Sequence, residues 1–152
     1  MKLETMPLAT PLSDKVTLPN EAWVIDSALL NFADRPFVML VADVATRRPL
    51  SATLDHAVIE DLIATLQRLV AELGSPEQVW MDRGMWHHSP LLRDWAEQHG
   101  ISLINSPMQT KSIAERMLRD LDTFLRGKRP STATALGDNI ERWRQSYGRR
   151  GD

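Results

Sequence analysis

The sequence predicts an α/β protein built on a mixed five-stranded sheet with helices on both faces. Three observations carry this. Three β-rich apolar runs follow one another through short gaps, over 21–30, 36–43 and 48–54. The apolar period then changes from that of strands to that of a helix, at Ile59, Leu62, Ile63, Leu66, Leu69, Val70 and Leu73. After that, two short apolar runs, 77–81 and 101–105, alternate with helical patterns. Short gaps suit an antiparallel meander, and helical spacers suit parallel crossovers, so the order βββαβαβαα implies three antiparallel strands and then two helix-linked parallel ones.

Each element has local support. "EAWVIDSALL" reads as a buried strand holding one acid, Asp26. "PFVMLVAD" is bounded by Pro36 and ends at Asp43, for which a turn role is expected. The first helix stops at Gly74, a residue suited to the left-handed position after a helix. "SPLLRDWAEQHG" offers Ser89 as N-cap, Pro90 at the first helical position and Gly100 after the end. A helix from about Ser112 to Leu125 carries Ile113, Met117, Leu118, Leu121, Phe124 and Leu125 on its apolar side, with Gly127 and Pro130 to end it. Ser112-Ile-Ala-Glu115 fits a capping box at its start. A last helix presents Leu136, Ile140, Trp143 and Tyr147 on one face. Trp23, Trp80, Trp95 and Trp143 fall on apolar faces and are expected in the core, with Trp86 partly exposed.

The 152 residues suit one domain with a real core. The expected organisation is an extended arm or linker over 1–20, a core over 21–148 and a tail over 149–152. Pro7, Pro11 and Pro19 interrupt the arm, which lacks the sustained apolar segment of a signal peptide. No apolar run approaches the roughly 20 residues of a membrane span, so no membrane partner is expected. There is no cysteine, which excludes a disulfide scaffold, a Cys-ligated zinc and a thiol nucleophile. This is compatible with a cytoplasmic location. The net charge of −2 is not the basic excess of a free-standing nucleic-acid binder. The charge is uneven, however: from 111 to 150 ten basic residues face five acidic ones.

Three acids stand out. Asp26 lies within the first strand, Asp82 ends the fourth in "VWMDRG", and Glu115 lies in the helix after the fifth. Asp82 read alone is equally a turn residue, Glu115 read alone is a cap, and Asp26 is harder to dismiss because an unpaired acid in a buried strand is costly. Arg119 falls one helical turn beyond Glu115 and Lys111 one turn before it, if the helix reaches that far. His87 and His88 read as loop residues, and His56 and His99 as helix-end residues.

The stretches "AWVIDSALL", "PFVMLVADVATRRPL", "EQVWMDRGMWHHSPLLRDWAEQHGI" and "NSPMQTKSIAERMLRDL" resemble, in order and strand placement, the catalytic core of the retroviral integrase and bacterial transposase superfamily. This is the DDE group of the ribonuclease H-like fold. The resemblance runs from about residue 21 to 121. It implies a metal-dependent core that cuts a DNA strand and joins the freed 3′-hydroxyl to target DNA. Asp26, Asp82 and Glu115 would be the catalytic and metal-binding acids, holding two Mg²⁺ or Mn²⁺ ions, and Lys111, Arg116 and Arg119 would contact DNA. The implied partners are element ends and target DNA, together with further copies of the chain, a dimer being the expected oligomer. A nucleoid location would follow in a bacterium. The chain departs from the family at Arg83, where Asn is usual, and at Ser112, where Gly is usual. No helix-turn-helix is legible, so the chain reads as a catalytic core alone. Two alternatives stay open: a non-catalytic remnant serving as a binding or assembly module, and a ribonuclease H-like nuclease acting on hybrid or structured nucleic acid.

Overall fold

The structure, a computed structural model, describes residues 16–30, 36–55, 59–81, 89–105 and 108–147, with backbone alone at 55 and 108–111. Strands β1 (Ala22–Leu29), β2 (Phe37–Asp43) and β3 (Arg48–Asp55) precede helix α1 (Ile59–Leu73). Then come β4 (Gln78–Met81), α2 (Pro90–Gln98), β5 (Ser102–Asn105), α3 (Met108–Lys128) and α4 (Ala133–Ser146). The spatial order of the sheet is β3-β2-β1-β4-β5. β1 pairs antiparallel with β2, and β2 with β3, as short connections require. β4 lies parallel to both β1 and β5, each reached through a helix. This is the mixed sheet that the sequence predicts.

The sheet separates two cores. Ala22 and Val24 of β1, with Val38, Leu40 and Ala42 of β2 and Trp80 of β4, pack against Ala114, Met117, Leu121 and Leu125 of α3 and Ile140 and Trp143 of α4. The alternate residues Trp23, Ile25, Met39, Val41, Val79 and Met81 pack against Leu62, Leu66 and Leu69 of α1 and Leu92 and Trp95 of α2. Strands buried on both faces carry no polar alternation, which is why β1 and β2 read as continuous apolar runs. The four expected core tryptophans are all buried.

The helix ends follow local chemistry. Gly74 (φ 86°) and Gly100 (φ 68°) take the left-handed conformation that closes α1 and α2. The Ser89 hydroxyl accepts from the Leu92 N–H, and Pro90 opens α2. Thr132 caps α4 by accepting from the Ala135 N–H at 3.0 Å.

Helix α3 differs from expectation at both ends. It begins at Met108, so Ser112 lies inside it and the capping-box reading fails. It also runs through Gly127 to Lys128. The left-handed residue that follows is Arg129 (φ 49°), whose N–H donates to the Leu125 carbonyl at 2.9 Å. A glycine near a helix end marks the end only when it holds the left-handed position, and Gly127 does not.

Of the first twenty residues, 16–20 are described, and they are tied to the body. Val16 is buried in the α3-side core. The Asn20 side chain donates to the Leu73 and Gly74 carbonyls and accepts from Trp23 Nε1 at 2.8 Å. Among the described residues no helix is long and apolar enough to cross a membrane.

Candidate carboxylate site

Asp26 sits opposite Leu40 of β2 and shares the parity of Ala22, Val24 and Ala28, so it lies on the face that α3 covers. Burial along β1 changes at this residue: Ala22 to Ile25 are buried, Asp26 to Ala28 half-buried, and Leu29 exposed. The acid therefore stands where the core meets solvent. Its strand fixes the direction of the carboxylate at this rim. One of its oxygens accepts from the Ser27 N–H at 2.9 Å.

The second position follows β4. Val24 pairs with Trp80, and the described part of β4 stops at Met81. Asp82, Arg83, Trp86, His87 and His88 lie outside the described residues, as does His56.

Glu115 is on α3, the helix laid over β1. Ile113, Ala114, Met117 and Leu118 around it are buried and hold this part of the helix against the sheet, while Glu115 itself is exposed. It follows from the longer helix that Glu115 lies in the second turn of α3 and not in the first. The structure thus brings Asp26 and the helix bearing Glu115 to one face of the sheet. Among the described residues no three His, Asp or Glu side chains form a group that could hold a metal.

The cations are distributed around the same helix. Its backbone reaches Lys111, whose side chain lies outside the described set. Arg119 is exposed one turn beyond Glu115, and no ion pair holds it among the described residues. Asp122, a possible partner for Arg119 in the sequence, pairs instead with Arg126 at 2.7 Å. Arg116 is exposed too and lines a pocket with Arg47, Ser112, Ile113, Met117 and Tyr147.

Asp43 takes the turn role expected of it. It is 3% exposed, one oxygen accepts from the Asn20 N–H at 2.7 Å and the other from the Thr46 N–H at 2.8 Å. His99 caps α2, its ring tilted against that of Trp95 with centroids 5.1 Å apart. The Arg47–Arg116 pocket has no counterpart in the linear reading, because its residues come from a hairpin turn, a helix and the end of another helix. Only the Asp43-to-Thr46 spacing signalled a tight turn that would fix Arg47.

No family model matches the chain, and neither does any curated protein. Solved structures do. The catalytic core domain of BIV integrase superposes with a TM-score of 0.69 at 14% identity, over 84% of this chain and 82% of that one. The catalytic core domain of HTLV-2 integrase, determined in complex with magnesium in a trimeric form, gives 0.68 at 16% identity over 85% of each chain. A chain of the simian T-cell lymphotropic virus intasome, determined with PP2A regulatory subunit B56 gamma, gives 0.68 at 19% identity; the match spans 82% of this chain but about half (48%) of that one. Identities this low speak to architecture, and the architecture agrees in sheet order, in strand directions and in the helices on both faces. The chain has the integrase catalytic-core form of the ribonuclease H-like fold.

Proposed function

We propose that the chain is a transposase or integrase catalytic core that cleaves a DNA strand and transfers its 3′ end, using Asp26, Asp82 and Glu115 as the metal-binding acids. The observation that carries this reading is the placement of Asp26: a carboxylate half-buried at the core rim of β1, on the face that α3 covers, in a chain with the integrase core fold. If β4 were to continue by one residue, two-residue alternation would give Asp82 the parity of Trp80, which faces α3.

The donor chemistry fits a hard dication. Carboxylate oxygens suit Mg²⁺ or Mn²⁺, and Asp26 is oriented by its own strand. Asp26, Asp82 and Glu115 would together hold two such ions. Such a pair, when bound, clamps the reacting phosphate between nucleophile and leaving oxygen. The chain's own residues do the rest. Arg119 and Lys111, one turn to either side of Glu115, and Arg116 beside it would engage backbone phosphates and set the strand's register against the acids. The comparison structures include an intasome and a trimeric core, and further copies of this chain are the proposed protein partners, a dimer being the smallest such assembly.

Crystals of the wild-type chain soaked in Mn²⁺ test the reading. Anomalous density between Asp26 and Asp82 is expected, and it disappears in Asp82→Asn while circular dichroism shows an unchanged fold. A wild-type site without density would overturn it. That outcome would leave the chain as a binding or assembly module, the role that Arg83 beside the acid would then explain.

A further inference from the structure

We infer that the pocket between Arg47, Arg116 and Tyr147 is a phosphate-binding subsite, separate from the carboxylates, that takes one backbone phosphate of the DNA. The inference rests on the DNA reading above and adds a contact to it.

Two arginines from distant parts of the chain line one small pocket, Arg47 from the β2–β3 turn and Arg116 from α3. Both residues are exposed, and neither makes an ion pair among the described residues. Among the described residues no carboxylate lines the pocket; Ser112 and Tyr147 are its other polar residues, and buried Ile113 and Met117 its apolar ones. Like charges that share a cavity repel each other, and an anion between them reverses the sign of that interaction. Arginine forks match the oxygens of a phosphate, and a hydroxyl adds a neutral donor.

The pocket is also held in shape. Buried Asp43 accepts from the Thr46 N–H, and the Arg47 N–H donates to the Asp43 carbonyl at 3.0 Å. This turn leaves Arg47 at φ 59°, a conformation that side chains other than glycine adopt at a cost. An arginine held at positive φ by a turn anchored on buried Asp43 is more informative than an exposed arginine alone. On the other side, Tyr147 ends α4 with its N–H on the Trp143 carbonyl at 2.9 Å and its ring 5.3 Å from that of Trp143.

Size and position select the ligand. At about 80 Å³ the pocket is far below the roughly 300–1,000 Å³ of sites that enclose a whole small molecule. That size suits a single phosphate group better than a whole nucleotide. Arg116 follows Glu115 directly in α3, so the pocket adjoins one of the proposed acids along that helix.

Two measurements on the full chain test this. Inorganic phosphate is titrated while the amide signals of Arg47, Arg116 and Tyr147 are followed by NMR. Binding to a DNA duplex is measured by fluorescence anisotropy over a range of salt. We expect phosphate to shift the pocket signals, and Arg47→Gln with Arg116→Gln to abolish that shift. The same pair of changes lowers the slope of log affinity against log salt by about one unit, the share of one phosphate. Arg47→Gly is a second variant: it relieves the turn, so the protein melts higher yet still loses the phosphate response. If the wild type binds DNA but the slope is unchanged in the double variant, the subsite is refuted and the DNA reading stands. Phosphate shifts without any effect on DNA binding mean an adventitious ion only, which also refutes it. A wild type with no affinity for DNA overturns both.

Discussion

Replacing Asp43 with alanine would test whether one buried carboxylate organises the end of the sheet. The side chain is 3% exposed and accepts two backbone donors, Asn20 N–H at 2.7 Å and Thr46 N–H at 2.8 Å. A hydrogen bond to a charged group contributes about 1.5–3 kcal/mol, so the pair sets an upper bound of about 3–6 kcal/mol. Thr46 is exposed, and water replaces part of the lost bond there. The expected loss is therefore roughly 2–4 kcal/mol, a large share of the 5–15 kcal/mol that holds a typical domain. With a urea m-value of about 2 kcal/mol/M, the midpoint falls by roughly 1–2 M. Asp43→Asn keeps one good acceptor and loses about half as much. Equilibrium urea unfolding followed by tryptophan fluorescence reads both variants. A stability of Asp43→Ala within about 0.5 kcal/mol of wild type would refute the reasoning, since changes of that size are what featureless surface positions give.

Other outcomes follow from single contacts. Arg129→Gly removes the left-handed penalty after α3 (φ 49°) and is expected to stabilise by about 0.5–1 kcal/mol, seen as a rise in Tm of a few degrees. Trp143→Phe deletes the bond from Nε1 to the Asp120 carboxylate at 2.8 Å and costs about 1–3 kcal/mol in urea unfolding. The Arg144 guanidinium, bonded to both Glu141 oxygens at 2.8 and 2.6 Å, holds that carboxyl below its ordinary value of 4.5. A depressed folded pKa gives stability that is present above the unfolded value and lost as pH falls through the folded one. Both side chains are partly exposed, so solvent and salt limit the pair to about 0.5 kcal/mol or less. Arg144→Gln should therefore narrow the stability difference between pH 7 and pH 3 slightly, and less so in high salt.

Much of the fold was legible because its signals are local. The meander needs only short gaps, and the crossovers only helical periods between short apolar runs. Ser89, Pro90, Gly74 and Gly100 act within one turn of their own positions. The misreadings concern α3, and both come from tertiary override. Ser112 carries the side chain of a cap, yet the packing of Ile113, Ala114 and Met117 continues a helix that already began at Met108. Gly127 has the freedom to end a helix, yet Leu125 and Phe124 keep that turn against the core and pass the left-handed position to Arg129. Propensity proposes an end, and the buried face of the helix decides whether the end is used there.

The site divides along the same line. An acid in a strand is visible in sequence, because burying a carboxylate without a purpose is costly, and parity then places Asp26 on the α3 side. What sequence cannot supply is which exposed cations converge. Lys111, Glu115, Arg119, Asp122 and Arg126 follow helical spacing along one stripe of α3, and the linear pattern gives them equal weight. The structure separates them. Asp122 and Arg126 bind each other, Arg119 has no ion pair among the described residues, and Arg116 lines a pocket with a hairpin arginine 69 positions earlier in the chain. A cation already neutralised by a neighbour has little to offer a phosphate, whereas one held apart from carboxylates keeps its full charge for an incoming strand. On that argument the proposed DNA contacts are Arg47, Arg116 and Arg119, and not Arg126. Arg126→Gln should leave the salt dependence of DNA binding unchanged, and a fall in its slope as large as that of Arg119→Gln would show that ion pairing on α3 does not sort its cations.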